Sequence, residues 1–240
     1  MARMDEGWKP RRFYTAAAAG PVGNGHGVLL DGRNARTPSG SPLVLPTAAL
    51  ADLVAAEWEA QGEHIETPLM PACRMAFTAI DRTPSARRAM AEEIARYAAS
   101  DLLCYFAEDP QALAEREAAA WGPWLAWAET ELGVKLTPSF GIAPALQTPE
   151  ALERVREHAE ELDDFTLTAA TFAAGLFGSA ILALATAKGA LEPLDAFELS
   201  RLEEAFQEER WGVDDEAAER TARLRGEAET LGRWFQALRS

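Results

Sequence analysis

Phe165–Ala187 is a run of 23 residues without a charged side chain. Two placements suit such a segment: it crosses a bilayer, or it lies in a protein core with most faces covered. The run holds eight Ala, four Thr, two Gly and one Ser. Ala and Thr contribute little to membrane insertion, and Asp163 and Asp164 stand immediately before it. The expectation is a central helix buried on most faces, with no stable membrane insertion.

The chain has 240 residues. That length suits one large domain or two small ones and builds a core without disulfides or metal staples. Cys73 and Cys104 are the two cysteines, so a disulfide scaffold is excluded and a reducing compartment fits. Lys and Arg number 23 against 38 Asp and Glu, a net charge of −15. This balance repels phosphate backbones, so no nucleic-acid partner is expected. The charge is uneven: residues 1–82 carry 8 bases and 9 acids, residues 83–240 carry 15 and 29. Met1–Arg12 leads into no apolar region and is interrupted by Asp5 and Glu6. It reads as neither a secretory signal nor a transit peptide. A bacterial cytoplasm is expected, or a mitochondrial matrix if the source is eukaryotic.

Strand and turn signals dominate the first 45 residues. Phe13–Ala18 reads as a strand and Gly20–Gly27 as turn-rich. Val28–Leu30 and Arg33–Thr37 flank Asp31-Gly32, a hairpin signal. Helical periodicity then takes over. Thr47 is placed to cap a helix whose apolar face is Leu50, Leu53, Val54 and Trp58. A short helix is expected around Arg74–Ile80, and another after Ser85. Asp109-Pro110 reads as a helix start, Gly122-Pro123 as a kink or split, and Val134–Thr137 as a possible strand. Thr148-Pro149 opens a further helix. The last one repeats at Leu224, Ala228, Leu231, Phe235 and Leu238. The fold class is α+β: a β-rich N-terminal domain with one helix over residues 1–68, then an α-helical domain of about six helices over 69–240.

Catalytic signatures are missing. Gly23-Asn24-Gly25-His26-Gly27 opens no helix and lacks a following Gly-Lys-Ser/Thr, so it reads as a hairpin turn. His26, His64 and His158 match no metal-ligand spacing, and no metal or cofactor is expected. Adjacent carboxylates recur at Glu92-Glu93, Asp163-Asp164, Glu203-Glu204, Glu208-Glu209 and Asp214-Asp215. Neighbours on a helix diverge by about 100°, so such pairs read as solvated faces. An acid/base enzyme with a carboxylate pair in an interdomain cleft stands as the alternative function. Glu192–Glu219 holds eleven acids against Arg201 and Arg210. Phe206, Trp211 and Gly212 sit among these charges, which suits either an interaction site or an ordinary amphipathic helix.

Four blocks together resemble one family. The first is Arg12-Phe13-Tyr14 through Leu43-Val44-Leu45-Pro46, with Leu30-Asp31-Gly32-Arg33 and Thr37-Pro38. The second is Ala56-Glu57-Trp58-Glu59-Ala60-Gln61 with Thr78-Ala79-Ile80-Asp81-Arg82. The third is Tyr97 with Ser100-Asp101-Leu102-Leu103-Cys104-Tyr105. The fourth is Leu199-Ser200-Arg201-Leu202-Glu203-Glu204 with Phe206-Gln207 and Trp211-Gly212. The chain resembles the ATP-twelve family of ATP synthase assembly chaperones from about residue 11 to 235. The resemblance implies a non-catalytic protein that binds the free α subunit of the F-type ATP synthase head until the β subunit replaces it. It also implies a client-binding patch of Glu204, Gln207, Trp211, Asp214 and Asp215, with Trp58 and Arg82 as further contacts. Trp58 equally suits a core anchor, and Arg82 a local salt bridge with Asp81. Asp215 stands where the family usually has Glu. Phe77 and Phe106 replace residues that are commonly Asn and Arg.

Overall fold

The computed structural model describes residues 10–141, 143 and 146–240. Residues 1–9, most of the Met1–Arg12 segment, lie outside the described residues. The fold is α+β and clusters into two units. One gathers the chain up to Asp81 with Gln236–Ser240, and the other spans Arg82–Phe235.

The first unit is a small antiparallel sheet covered by helices. β1 (Ala17–Val22) and β2 (Gly25–Leu30) form a hairpin, and β3 (Arg33–Asn34) and β4 (Val44–Leu45) both pair with β2. The glycine-rich run is the β1–β2 turn, with Gly23 at φ 58°. β1 lies later than Phe13–Ala18 and passes through Gly20. There a side chain would meet Leu29 Cδ1 at 2.6 Å, so the glycine lets the two strands close. Asp31 and Gly32 both take positive φ, 48° and 79°, the geometry a tight two-residue hairpin needs. Val28, Leu30, Leu43 and Leu45 are buried, as are Leu50, Val54 and Trp58 of α1 (Ala48–Glu59). Thr47 caps α1: its Oγ1 accepts from Leu50 N at 3.1 Å and its hydroxyl donates to Ala237 O at 2.7 Å.

α2 spans Pro71–Asp81 and starts earlier than its periodicity suggests. The cause is tertiary. The Glu57 carboxylate accepts from Ala72 N at 2.9 Å and Cys73 N at 2.8 Å, satisfying two orphan donors at the positive end of the helix.

The second unit is helical: α3 (Thr83–Ala99), β5 (Tyr105–Phe106), α4 (Gln111–Trp127), β6 (Ser139–Phe140), α5 (Pro149–Glu160), α6 (Asp164–Phe177), α7 (Ala180–Ala187), α8 (Pro193–Ser200), α9 (Leu202–Trp211) and α10 (Asp215–Leu238). Its last helix ends in residues that cluster with the first unit. Over residues 69–240 the described residues form nine α-helices, α2–α10, in place of the expected six or so. Part of the difference is the charge-free run, which is two helices and not one. Gly178 takes the left-handed conformation at φ 63° and ends α6, and Ser179 caps α7 through Leu182 N at 3.1 Å. Most of both helices is buried, so the polar backbone at the break needs partners. Asp101 and Leu102 supply them: Leu102 N donates to Gly178 O at 3.0 Å, and Asp101 Oδ2 accepts from Ile181 N at 3.2 Å. Among the described residues no helix is long and apolar enough to cross a membrane.

Three further expectations are corrected. α4 is preceded by Pro110, not Asp109, at its cap position, and no side chain caps it. It also runs unbroken through Gly122-Pro123, then widens into a π turn at Ala128–Leu132. Buried Trp121 anchors this stretch, donating from Nε1 to Leu199 O at 3.0 Å. Val134–Thr137 forms no strand, although Val134 and Leu136 are buried. Ser139–Phe140 instead pairs in parallel with β5.

Candidate functional site

Most residues in the resembling blocks have work inside the fold. The Arg12 guanidinium donates to the carbonyls of Tyr14, Thr15, Glu59 and Gln61 and to the Glu59 carboxylate. Tyr14 OH donates to Trp58 O at 2.6 Å, and the two rings meet edge-on at 5.8 Å. Asp31 accepts from Thr15 N and Ala16 N, which holds its carboxyl below the usual range. Hydrogen bonds from Thr37 Oγ1 and Ser39 N likewise hold Asp81 low, outweighing its partial desolvation. Burial pushes the Cys104 thiol up to about 12 and raises Cys73 as well, so neither is poised as a nucleophile.

The fourth block differs. α9 is amphipathic, but it buries only Leu202 and Phe206. Arg210 lies over the Phe206 ring at 4.3 Å. Arg201, just before α9, donates from Nη2 to Thr221 Oγ1 of α10 at 3.1 Å. At the turn between the two helices Gly212 takes φ 84°, and Asp214 caps α10 by accepting from Ala217 N at 2.9 Å. Trp211 remains 77% exposed and Val213 54% exposed. Asp215 and Glu216 occupy the first turn of α10, where the helix dipole favours negative charge. The turn is thus an exposed apolar pair set in carboxylates.

The structure brings Trp211, Asp214 and Asp215 together at this turn. Gln207 lies on α9 and donates to Glu203 at 3.2 Å, while Glu204 pairs with Arg201 at 3.0 Å. Trp58 belongs to the first unit, 8% exposed in its core. Arg82 is exposed, and none of the ion pairs among the described residues involves it. Val213 is the one apolar member of the turn that periodicity does not flag, because a lone Val after a helix-ending Gly carries no pattern. The adjacent carboxylates diverge: Glu204 reaches Arg201, Glu209 reaches Arg116 and Asp214 turns back to the backbone. Among the described residues no group of three or more His, Cys, Asp or Glu is arranged to hold a metal ion.

The chain thus joins a sheet-bearing unit and a helical unit, the latter with an exposed apolar turn amid acids. Comparison with known proteins gives the family. The model of the ATP12 chaperone protein family matches residues 11–129. Mitochondrial protein atp12 of Schizosaccharomyces pombe is 28% identical over 222 residues, 87% of this chain and 76% of that protein. The crystal structure of Atp12 from Paracoccus denitrificans shares 38% identity at a TM-score of 0.86, over 95% of this chain and 98% of that one. The Atu1473 protein of Agrobacterium tumefaciens shares 40% identity at a TM-score of 0.87, over 95% and 86%. The chain belongs to the ATP12 chaperone family.

Proposed function

We propose that this protein assists assembly of the catalytic head of F-type ATP synthase by holding the unassembled α subunit until the β subunit takes its place. It does so by covering surface and transforms no chemical bond. The single observation carrying this reading is the turn itself, where Trp211 stands 77% exposed beside Val213. Tryptophan in water forfeits a large burial gain, and it is enriched where partners anchor. A subunit destined for large interfaces exposes apolar surface while unpaired, and that surface aggregates. Asp214 and Asp215 at the turn and Glu204 on α9 steer a basic rim onto this surface, and with the polar Gln207 of α9 they limit its grip. A limited grip lets the larger native interface displace the chaperone. The site of action is where the head assembles, a bacterial cytoplasm or a mitochondrial matrix.

The test is aggregation of isolated α subunit, followed by light scattering, with wild type, Trp211→Ala and Trp211→Ala/Asp215→Lys. Both residues are exposed, so unfolding should move by no more than about 0.5 kcal/mol for Trp211→Ala and by roughly 1 kcal/mol for the double variant, which also reverses a charge at the N-terminus of α10. Protection should fall in the first variant and further in the second. Equal protection by all three proteins removes the turn from the mechanism.

A further inference from the structure

The helical unit contains a cleft of about 600 Å³ between α4, α8, α9 and α10. We propose that this cleft receives a client segment carrying a long cationic side chain next to an apolar one. The proposal rests on the chaperone reading above and adds the chemistry of what is bound. The floor is apolar: Trp124, Leu191, Phe197 and Leu202 line it, and Ala205 of α9 contributes only a methyl group. The volume is that of a small-ligand pocket and admits roughly two or three side chains, not a helix.

The sign of the occupant follows from which lining charges lack a partner. Arg116, Arg201 and Arg225 all line the cleft, and each has a carboxylate partner, although Arg201 Nε is buried without a hydrogen-bond partner. Arg116 pairs with Glu209 at 2.9 Å, Arg201 with Glu204 at 3.0 Å and Arg225 with Glu198 at 3.2 Å. Asp195 and Glu208 line it too, and neither belongs to any ion pair among the described residues. The uncompensated charge is negative, and the net charge of −15 adds to it. A guanidinium or ammonium meets Asp195 and Glu208, while its methylene stem and an apolar neighbour cover the floor around Trp124 and Phe197. Leu202, Ala205 and Glu208 of α9 face the cleft, while Glu203 and Gln207, bonded to each other, are exposed outside its lining.

The test uses full-length protein and two labelled peptides, one of alternating Leu and Arg and one with Glu in place of Arg, read by fluorescence anisotropy. The Arg peptide should bind and the Glu peptide should not. Asp195→Asn/Glu208→Gln should weaken the Arg peptide roughly tenfold. Ala205→Met, which fills the floor, should weaken it as well, with melting checked to confirm folding. Glu92→Gln/Glu93→Gln, on α3, which does not line the cleft, should leave it unchanged. Preference for the Glu peptide, unaltered affinity in both cleft variants, or equal loss in the α3 variant overturns the proposal. The same proteins are run in the α-subunit aggregation assay. Protection by wild type without peptide binding removes the cleft alone. Peptide binding without protection removes the α-subunit reading and leaves the cleft standing.

Discussion

At the scale of single residues, Asp101 decides most. It is fully buried, and desolvation raises its carboxyl to about 6 from 3.8, although Ser179 and backbone N–H donors favour the charged form. The folded value lies above the unfolded one. The stability Asp101 contributes is therefore complete below about pH 4 and is lost as pH rises through about 6. Asp101→Asn removes this titration. The advantage of wild type over the variant should widen by about 2 kcal/mol as pH falls from about 7.5 to about 4.5. Denaturant unfolding of both proteins at the two pH values measures it, and a constant difference would show that Asp101 does not titrate as its burial requires. Exposed carboxylates such as Asp31 and Glu59 shift the other way, held low chiefly by backbone hydrogen bonds. They cancel from the comparison because both proteins keep them.

At the scale of elements, the break between α6 and α7 is the feature most open to a clean test. Gly178 sits at φ 63°, and a Cβ there would meet nothing within 4 Å. Gly178→Ala therefore isolates backbone conformation from packing. The substitution should cost about 1–2 kcal/mol because an L side chain disfavours the left-handed region. No loss of melting temperature would mean that the two helices can join without the turn. α9 shows the opposite balance. Two buried side chains hold it, and under the proposed function its exposed face meets the client. Substitutions on that face should change binding before they change stability.

At the scale of the whole molecule, a net charge of −15, concentrated after residue 82, makes association with a basic surface a long-range event. Raising ionic strength from about 0.05 M to about 0.5 M shortens the screening length several-fold. The association rate with the α subunit should then fall by about tenfold or more, with dissociation changing far less. Stopped-flow mixing at the two salt concentrations separates these rates. A salt effect confined to dissociation would place the charges inside the contact, not around it.

Local chemistry was readable along the chain. Thr47 and Thr148 cap their helices, and Asp31-Gly32 makes its turn, because each depends on a few adjacent residues. The α+β order and the burial of the charge-free run follow from periodicity and composition for the same reason. Other features depend on neighbours distant in sequence. Glu57 draws the start of α2 back to Pro71. Asp101 stitches a break inside a run that reads as one helix. Trp58 and Trp211 are both tryptophans on amphipathic helices, yet one is buried under Tyr14 and the other is left at an open turn. No local pattern separates them, because burial is decided by what packs on top, and that is settled only when the chain closes on itself.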